Sequence, residues 1–396
     1  MKMLYPLTVF VMMLAACGKG GGGNNTTPII NNPSLSVIDV KQARDNKNTT
    51  NFRFFVNLSK AVPSQITVKY STINGTAMAG TDYTATSGTL TIPAGKDVAY
   101  IEVPVTGDSL RQADQDFYLQ LSDPVNATIN GTGKATGTIE NNGTYLPTDN
   151  GGYTTPTSYP GYTLVWSDEF DGSAINTSNW NFEQGGNGWG NNELEYYTNS
   201  SKNAFVSNGN LIIEARKETV GSNNYTSARL NTSGKKDIQY GRIDIRAKLP
   251  VARGLWPALW MLGSNFSTVG WPACGETDIM ELVGQNPNQV LGTLHWALAN
   301  GQHQHKSGYY NLTSGDFSQQ FHVFSLIWKE NYMQILVDDK ESITITDKDM
   351  EGGKWPFNAK QFLIFNVAVG GDWPLAPPAT TTFPQRMFVD YVRVFQ

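Results

Sequence analysis

The sequence predicts an all-β protein of two sandwiches, a smaller N-terminal one followed by a larger β-jelly-roll sandwich. Three observations carry this. Short segments that alternate or cluster β-branched and aromatic residues recur along most of the chain, as strands do. Gly, Pro, Asn and Asp punctuate them, and no stretch keeps a helical period. At 396 residues the chain is too long for one small core, and turn formers at residues 141–160 divide it.

The elements follow in chain order. "MKMLYPLTVFVMMLAAC" sets Lys2 ahead of an apolar run from Leu4 to Ala16, too short to cross a bilayer as a mature helix. A charged start, an apolar middle and small residues at the end match an export signal. "LAAC" resembles the lipobox of bacterial lipoproteins, so residues 1–17 read as a lipoprotein-type signal with Cys17 as the lipidated residue. A general secretory signal with a chance cysteine is the alternative. The expected location is outside the cytoplasm: on the outer membrane or cell surface through an N-terminal lipid anchor, otherwise secreted. Gly-rich residues 18–32 are a flexible tether.

Residues 33–140 contain "FRFFVNL", "ITVKYST", "GTLTIPAG", "VAYIEVPV" and "DFYLQLS". About a hundred residues of such strands argue for an antiparallel β-sandwich. Residues 141–160, "NNGTYLPTDNGGYTTPTSYP", form a linker. From 161 to 396 the strands resume with "LIIEARK", "GRIDIRAKLP", "TDIMELV", "VFSLIWK", "YMQILVDD", "FLIFNVAVG" and "MFVDYVRVF". So many strands in one stretch predict two large packed sheets, a jelly roll.

Charged residues make up 16% of the chain, against roughly 25% in ordinary soluble domains. The net charge of −5 and the lack of a basic cluster exclude a nucleic-acid partner. Cys274 is the one cysteine besides Cys17, so this is no disulfide scaffold. It reads as a small apolar residue beside an acidic cluster.

That cluster is "ETDIME", in which Glu276, Asp278 and Glu281 are spaced by two and then three. In a strand the first two share a face, and strict alternation would send Glu281 into the core, a costly place for a carboxylate. One extra residue at Ile279 and Met280, a β-bulge, returns it to the acidic face. Three carboxylates so arranged could be a solvated face or hold a cation. Apolar Ile279, Met280 and Leu282, and the density of tryptophan nearby, favour a third use. In retaining glycoside hydrolysis one carboxylate attacks the anomeric carbon and a second, protonated, donates to the leaving oxygen.

"GETDIME" resembles the signature of family 16 glycoside hydrolases in its bulged, laminarinase-type form. "GWGNNELEYYT", "YTSARLNT", "YGRIDIRAKLP", "GLWPALWML", "GTLHW" and "NVAVGGDWP" resemble further segments of that family, in order, across residues 161–396. The resemblance implies an endo-β-1,3-glucanase with Glu276 as nucleophile, Asp278 as its assistant and Glu281 as acid/base. Mixed-linkage β-1,3-1,4-glucan or a marine galactan is the alternative substrate, and a glucan-binding lectin the non-enzymatic one. Thr277 departs from the Ile or Val usual in the family but is β-branched too.

The same resemblance implies that Trp256 and Trp260 stack on sugar rings, with Trp296 and Trp373 near the acceptor side. It implies that Asn192 and Arg229, with Glu193 beside them, bond sugar hydroxyls and that His295 lies near the acid/base. Trp271 is a candidate cleft wall. No cofactor is expected for the chemistry. A structural calcium is expected, held by Glu169, the backbone of Gly209, and Asp390, as are a polysaccharide substrate and a monomeric state.

"VKYSTINGTAMAGTDYTATSGTLTIPAG" and "VPVTGDSLRQADQDFYLQLSDPVNATI" resemble a Calx-beta domain. Such domains often bind calcium through acids at one end. Here Gln112 and Gln115 stand where the family usually has Glu, and Asn141 and Asn142 follow the last strand in place of Asp. Neutral amides offer oxygens without charge, so although Asp82, Asp108, Asp114 and Asp116 remain, a calcium-free spacer is expected.

Overall fold

A computed structural model describes residues 32–350 and 352–396. The signal segment, Cys17 and nearly all of the tether lie outside the described residues. Those residues form two compact units: 32–108 with 112–142, and 109–111 with 143–396.

The first unit packs a four-stranded sheet against a five-stranded one. Its logic shows in the strand Thr50–Leu58, where Phe52, Phe54, Val56 and Leu58 are buried and their neighbours are not. Phe117 from the other sheet meets Phe54 edge-on at 5.7 Å and stacks on Tyr83 at 4.5 Å. At one end lies a polar cluster. Arg44, 2% exposed, sends Nη2 to Asp82 Oδ1 at 3.4 Å and Nη1 to within 3.8 Å of Asp108. Its Nε–H donates to Asn141 Oδ1 at 2.8 Å, and Gln115 Oε1 accepts from Nη2. Four of the acids and amides read from the sequence as a weakened calcium site, Asp82, Asp108, Gln115 and Asn141, therefore surround a guanidinium.

The second unit is the jelly roll, two eight-stranded sheets around one core. The outer sheet runs Ala204–Ser207, Asn210–Ala215, Gln385–Phe395, Gly241–Lys248, His322–Lys329, Tyr332–Val337, Lys340–Thr346, with Leu164–Asp168 also on Gln385–Phe395. The inner sheet runs Asn181–Glu183, Arg229–Asn231, Gln361–Val369, Leu255–Gly263, Glu276–Glu281, Gln289–Ala297, His303–Asn311, with Asp237–Ile238 also on Gln361–Val369. All nine residues of the central strand Gln361–Val369 are buried: one face packs in the core, and on the other Phe362 and Ile364 pack with Leu262 and Trp260 while Asn366 and Ala368 line the cleft. Among the described residues helix is confined to Phe266–Val269 and a 3-10 turn at Asp347–Asp349.

The acidic strand carries the bulge its spacing predicts. Trp260 pairs with Asp278 and Leu259 with Met280, so Ile279 is passed over. Ile279 and Met280 are both buried in the core, at 1% and 0% exposure. Glu281 returns to the face of Glu276 and Asp278. Thr277 faces the core, where its hydroxyl meets Met333 Sδ at 3.7 Å, so its one polar atom is accommodated.

Candidate active site

The inner sheet lines a cleft of about 490 Å³ whose lining includes Glu276, Asp278 and Glu281. Each outer glutamate is oriented by its own indole. Trp271 Nε1–H donates to Glu276 Oε2 at 3.1 Å, and Trp256 Nε1–H donates to Glu281 Oε1 at 3.0 Å. An indole only donates, so it fixes one carboxyl oxygen and leaves the other for chemistry. Between them Asp278 Oδ2 is 3.0 Å from His295 Nε2 but out of line for a hydrogen bond, a buried oxygen without a hydrogen-bond partner. His295 Nε2 is also 3.7 Å from Glu276 Oε1.

Three acids in one desolvated place cannot all be charged at neutral pH. Burial, and then the charge of Asp278, pushes Glu276 up to about 8; burial pushes Asp278 to about 8 as well. Glu281 is raised well above its ordinary value, by burial first and then by Asp278. His295 opposes this rise at both glutamates, and Arg229 opposes it at Glu276.

Around the acids stand the plates. Trp256 meets Trp373 edge-to-face at 5.4 Å. Trp260 donates its Nε1–H to Asn366 Oδ1 at 2.8 Å. Arg229 lies 4.8 Å from the ring centres of both Trp260 and Trp189 and is ion-paired with Glu183. Glu193 lines the cleft, held by Tyr197 Oη–H at 3.0 Å and Asn191 Nδ2 at 3.0 Å. Beneath it Glu195, fully buried, accepts from the Val369 amide at 2.6 Å, and burial raises it well above the usual carboxylate range.

Two expectations need correction. Trp296 is 2% exposed and packs in the core between the sheets. It follows His295 in one strand, and adjacent strand residues face opposite ways; with His295 in the cleft, Trp296 is directed to the core. Asn192 is exposed with φ 56°, and its amide goes to Asp372 at 2.9 and 3.1 Å, so its neighbours Asn191 and Glu193 line the cleft in its stead.

Sequence reasoning missed Trp189 and Asn366, and it read His303 of "HQH" as part of a Gly/Gln-rich loop, whereas His303 opens the strand His303–Asn311 and lines the cleft. Trp189 carried a signal: it lies between Gly188 and Gly190 in "GWG", and all three have positive φ. For a bulky residue that conformation is an outlier, and here it brings the indole to the Arg229 guanidinium. Cys274 is fully buried, and burial pushes its thiol up to about 11, so it is inert packing.

The expected calcium ligands are otherwise engaged. Glu169 is forked by Arg393 at 2.9 and 2.7 Å, and Asp390 pairs with Arg246 at 2.7 Å. A cation there would have to share both carboxylates with guanidinium groups, leaving chiefly backbone oxygen such as that of Gly209.

The family model described as glycosyl hydrolases family 16 matches residues 191–392, and that of the Calx-beta domain matches residues 30–143. The beta-glucanase of Rhodothermus marinus is 42% identical over 250 residues, covering 60% of this chain and 86% of that protein. The clotting factor G alpha subunit of Tachypleus tridentatus is 39% identical over 239 residues, which are 60% of this chain but 34% of that one. The chain therefore spans about a third of that relative's length. The solved catalytic domain of an endo-1,3-beta-glucanase (laminarinase) from Thermotoga petrophila RKU-1 matches with a TM-score of 0.56 at 48% identity, covering 59% of this chain and 98% of that one.

Proposed function

The chain belongs to glycosyl hydrolase family 16, and from that premise we propose that it is an endo-β-1,3-glucanase that retains anomeric configuration. The carrying observation is the bulged strand, which sets Glu276, Asp278 and Glu281 on one face of a tryptophan-lined cleft. Glucose rings present apolar C–H faces to Trp256, Trp260 and Trp373, and hydroxyls to Glu193, Arg229 and Asn366. The lining suits a neutral glucan better than a sulfated galactan. Arg229 is the one Lys or Arg among the described lining residues, and Glu183 already neutralises it.

In the first step ionised Glu276 attacks the anomeric carbon, the glycosidic C–O bond breaks, and protonated Glu281 gives its proton to the leaving oxygen. In the second, water attacks the same carbon, Glu281 takes the water's proton, and Glu276 leaves as a carboxylate. Asp278 holds the intervening proton near Glu276 and keeps the two outer acids in opposite protonation states.

Reducing-sugar release from laminarin, lichenan, agarose and carrageenan tests the substrate, with laminarin expected to be cleaved fastest. Proton NMR of the first laminarin product tests the stereochemistry: a β anomer is expected, and an α anomer rules out retention. Glu281→Gln is expected to bind laminarin without cleaving it, whereas full activity in that variant excludes the assigned acid. Export with a lipid on Cys17 belongs to the same proposal. A palmitate analogue should label the wild type in cells and leave Cys17→Ser unlabelled.

A further inference from the structure

Three of the four histidines stand together at the cleft edge, and the proposed hydrolysis assigns a step to none of them. His303 and His305 are two apart in the strand His303–Asn311 and so share a face. His295 is directly opposite His305 in the neighbouring strand. The ring centres are 5.0, 5.5 and 5.6 Å apart and the planes lie within 27° of one another. One nitrogen from each ring lies within 4.8 Å of the other two. His295 Nδ1 and His303 Nε2 are 2.7 Å apart, sharing one hydrogen, while His295 Nε2 is turned toward Asp278.

We propose that His295, His303 and His305 form a site for one divalent first-row transition ion of the zinc, copper or nickel class, and that filling it silences hydrolysis. Imidazole nitrogen suits these ions, and three imidazoles with a water complete a four-coordinate zinc. Metal–nitrogen bonds of about 2.0–2.1 Å require ligand atoms roughly 3.3 Å apart. The close pair must open slightly and His305 must draw in, which rotation of exposed side chains supplies. The ion takes the place of the hydrogen between His295 and His303, which leaves as a proton to water. Silencing follows from two contacts: His295 is drawn from Glu276 and Asp278, and the ion occupies cleft space beside His303 and Trp271, whose rings are 4.6 Å apart.

Metal uptake does not depend on the hydrolase reading, whereas silencing rests on it. The test is calorimetric titration of zinc chloride into the tag-free, chelator-stripped full chain, with laminarin hydrolysis followed in parallel. One zinc per chain is expected, with hydrolysis falling as the site fills. His305→Ala is expected to hydrolyse laminarin within about twofold of the wild type without metal, and to bind zinc at least about tenfold more weakly. Nitrogen hyperfine structure in the EPR spectrum of the Cu(II)-loaded wild type reports imidazole ligation without a variant. No saturable uptake, a copper spectrum without nitrogen ligation, or unchanged zinc affinity in both His303→Ala and His305→Ala would overturn the site. Zinc bound at the three histidines with hydrolysis unaffected would overturn the silencing. A metal-free chain that cleaves no glucan refutes the hydrolase reading and leaves the zinc isotherm to be judged by itself.

Discussion

Each unit of this chain gathers carboxylates from a sheet and its loops, and the two gatherings are held in opposite ways. In the first, Asp82 and Asp108 close around the buried guanidinium of Arg44, with Gln115 and Asn141 completing its hydrogen bonds. In the second, Asp278 is 4% exposed, and among the described residues neither Lys nor Arg lies within ion-pair distance of Glu276, Asp278 or Glu281. The first arrangement compensates charge inside the fold. The second leaves charge to be shared as protons, the condition for acid–base work. Elsewhere in the second unit the compensated pattern returns: Glu214 is fully buried with Arg216 and Arg386, and Asp244 with Arg242. Buried Glu193 and Glu195 also lack a Lys or Arg partner, so the uncompensated acids gather on the cleft side of the jelly roll and the compensated ones elsewhere.

Four outcomes would break or sharpen that contrast. The largest is expected from Glu276→Ala, which should lower kcat for laminarin by about 10⁴-fold or more; loss below tenfold would mean the uncompensated cluster is not the reacting one. Next, Arg44→Ala leaves Asp82 buried without its partner and should cost the first unit about 3–5 kcal/mol, read by urea unfolding. Hydrolysis should stay within about twofold. Unchanged stability would mean that water compensates those acids as well as arginine does.

A third outcome concerns pH. Glu276 is raised to about 8 in the folded chain, against roughly 4.3 when unfolded. Between these values the folded state binds more protons, so this group's contribution is full below the unfolded value and is lost as pH rises through about 8. Glu276→Gln removes the penalty, and its Tm should exceed that of the wild type by about 3 °C or more at pH ~8.5, with the gain vanishing near pH ~4. An equal difference at both pH values would refute a proton-linked cause. The smallest effect is expected at Trp373→Ala, which loses a stacking plate and its edge contact with Trp256. KM should rise about three- to tenfold with kcat nearly unchanged; a kcat defect instead would place Trp373 in control of the Glu281 orientation through Trp256.

The strands and the acidic face were legible because periodicity is local: an interval of three where two is the rule implies the bulge, and the register shift at Ile279 bears that out. Trp256 and Trp260 were legible in the same way. Trp296 was legible too, since alternation opposes it to His295, but resemblance placed both in the cleft and outweighed the period. Arg44 was not readable as a partner. The groups it meets lie 38 to 97 residues away, and no local pattern marks such pairs. Asn192 was misread for a different reason: its positive φ turns its amide toward Asp372, and a motif conveys spacing without backbone handedness. His303 and His305 showed their own alternation, but their meeting with His295 depends on strand pairing.

The passed-over residue at Ile279 also bears on how the chain tolerates changes of length. In most strands a one-residue deletion inverts every side chain beyond it. Here, losing Met280 would bring Glu281 to the fourth place after Glu276, where plain alternation again turns it to the cleft, with Ile279 and Leu282 still inward. The interval between Asp278 and Glu281 can therefore be spelled with two intervening residues or with one while presenting the same three acids. Between Glu276 and Asp278 the one intervening residue allows no such alternative, and a deletion there would put these two acids on opposite sides of the sheet.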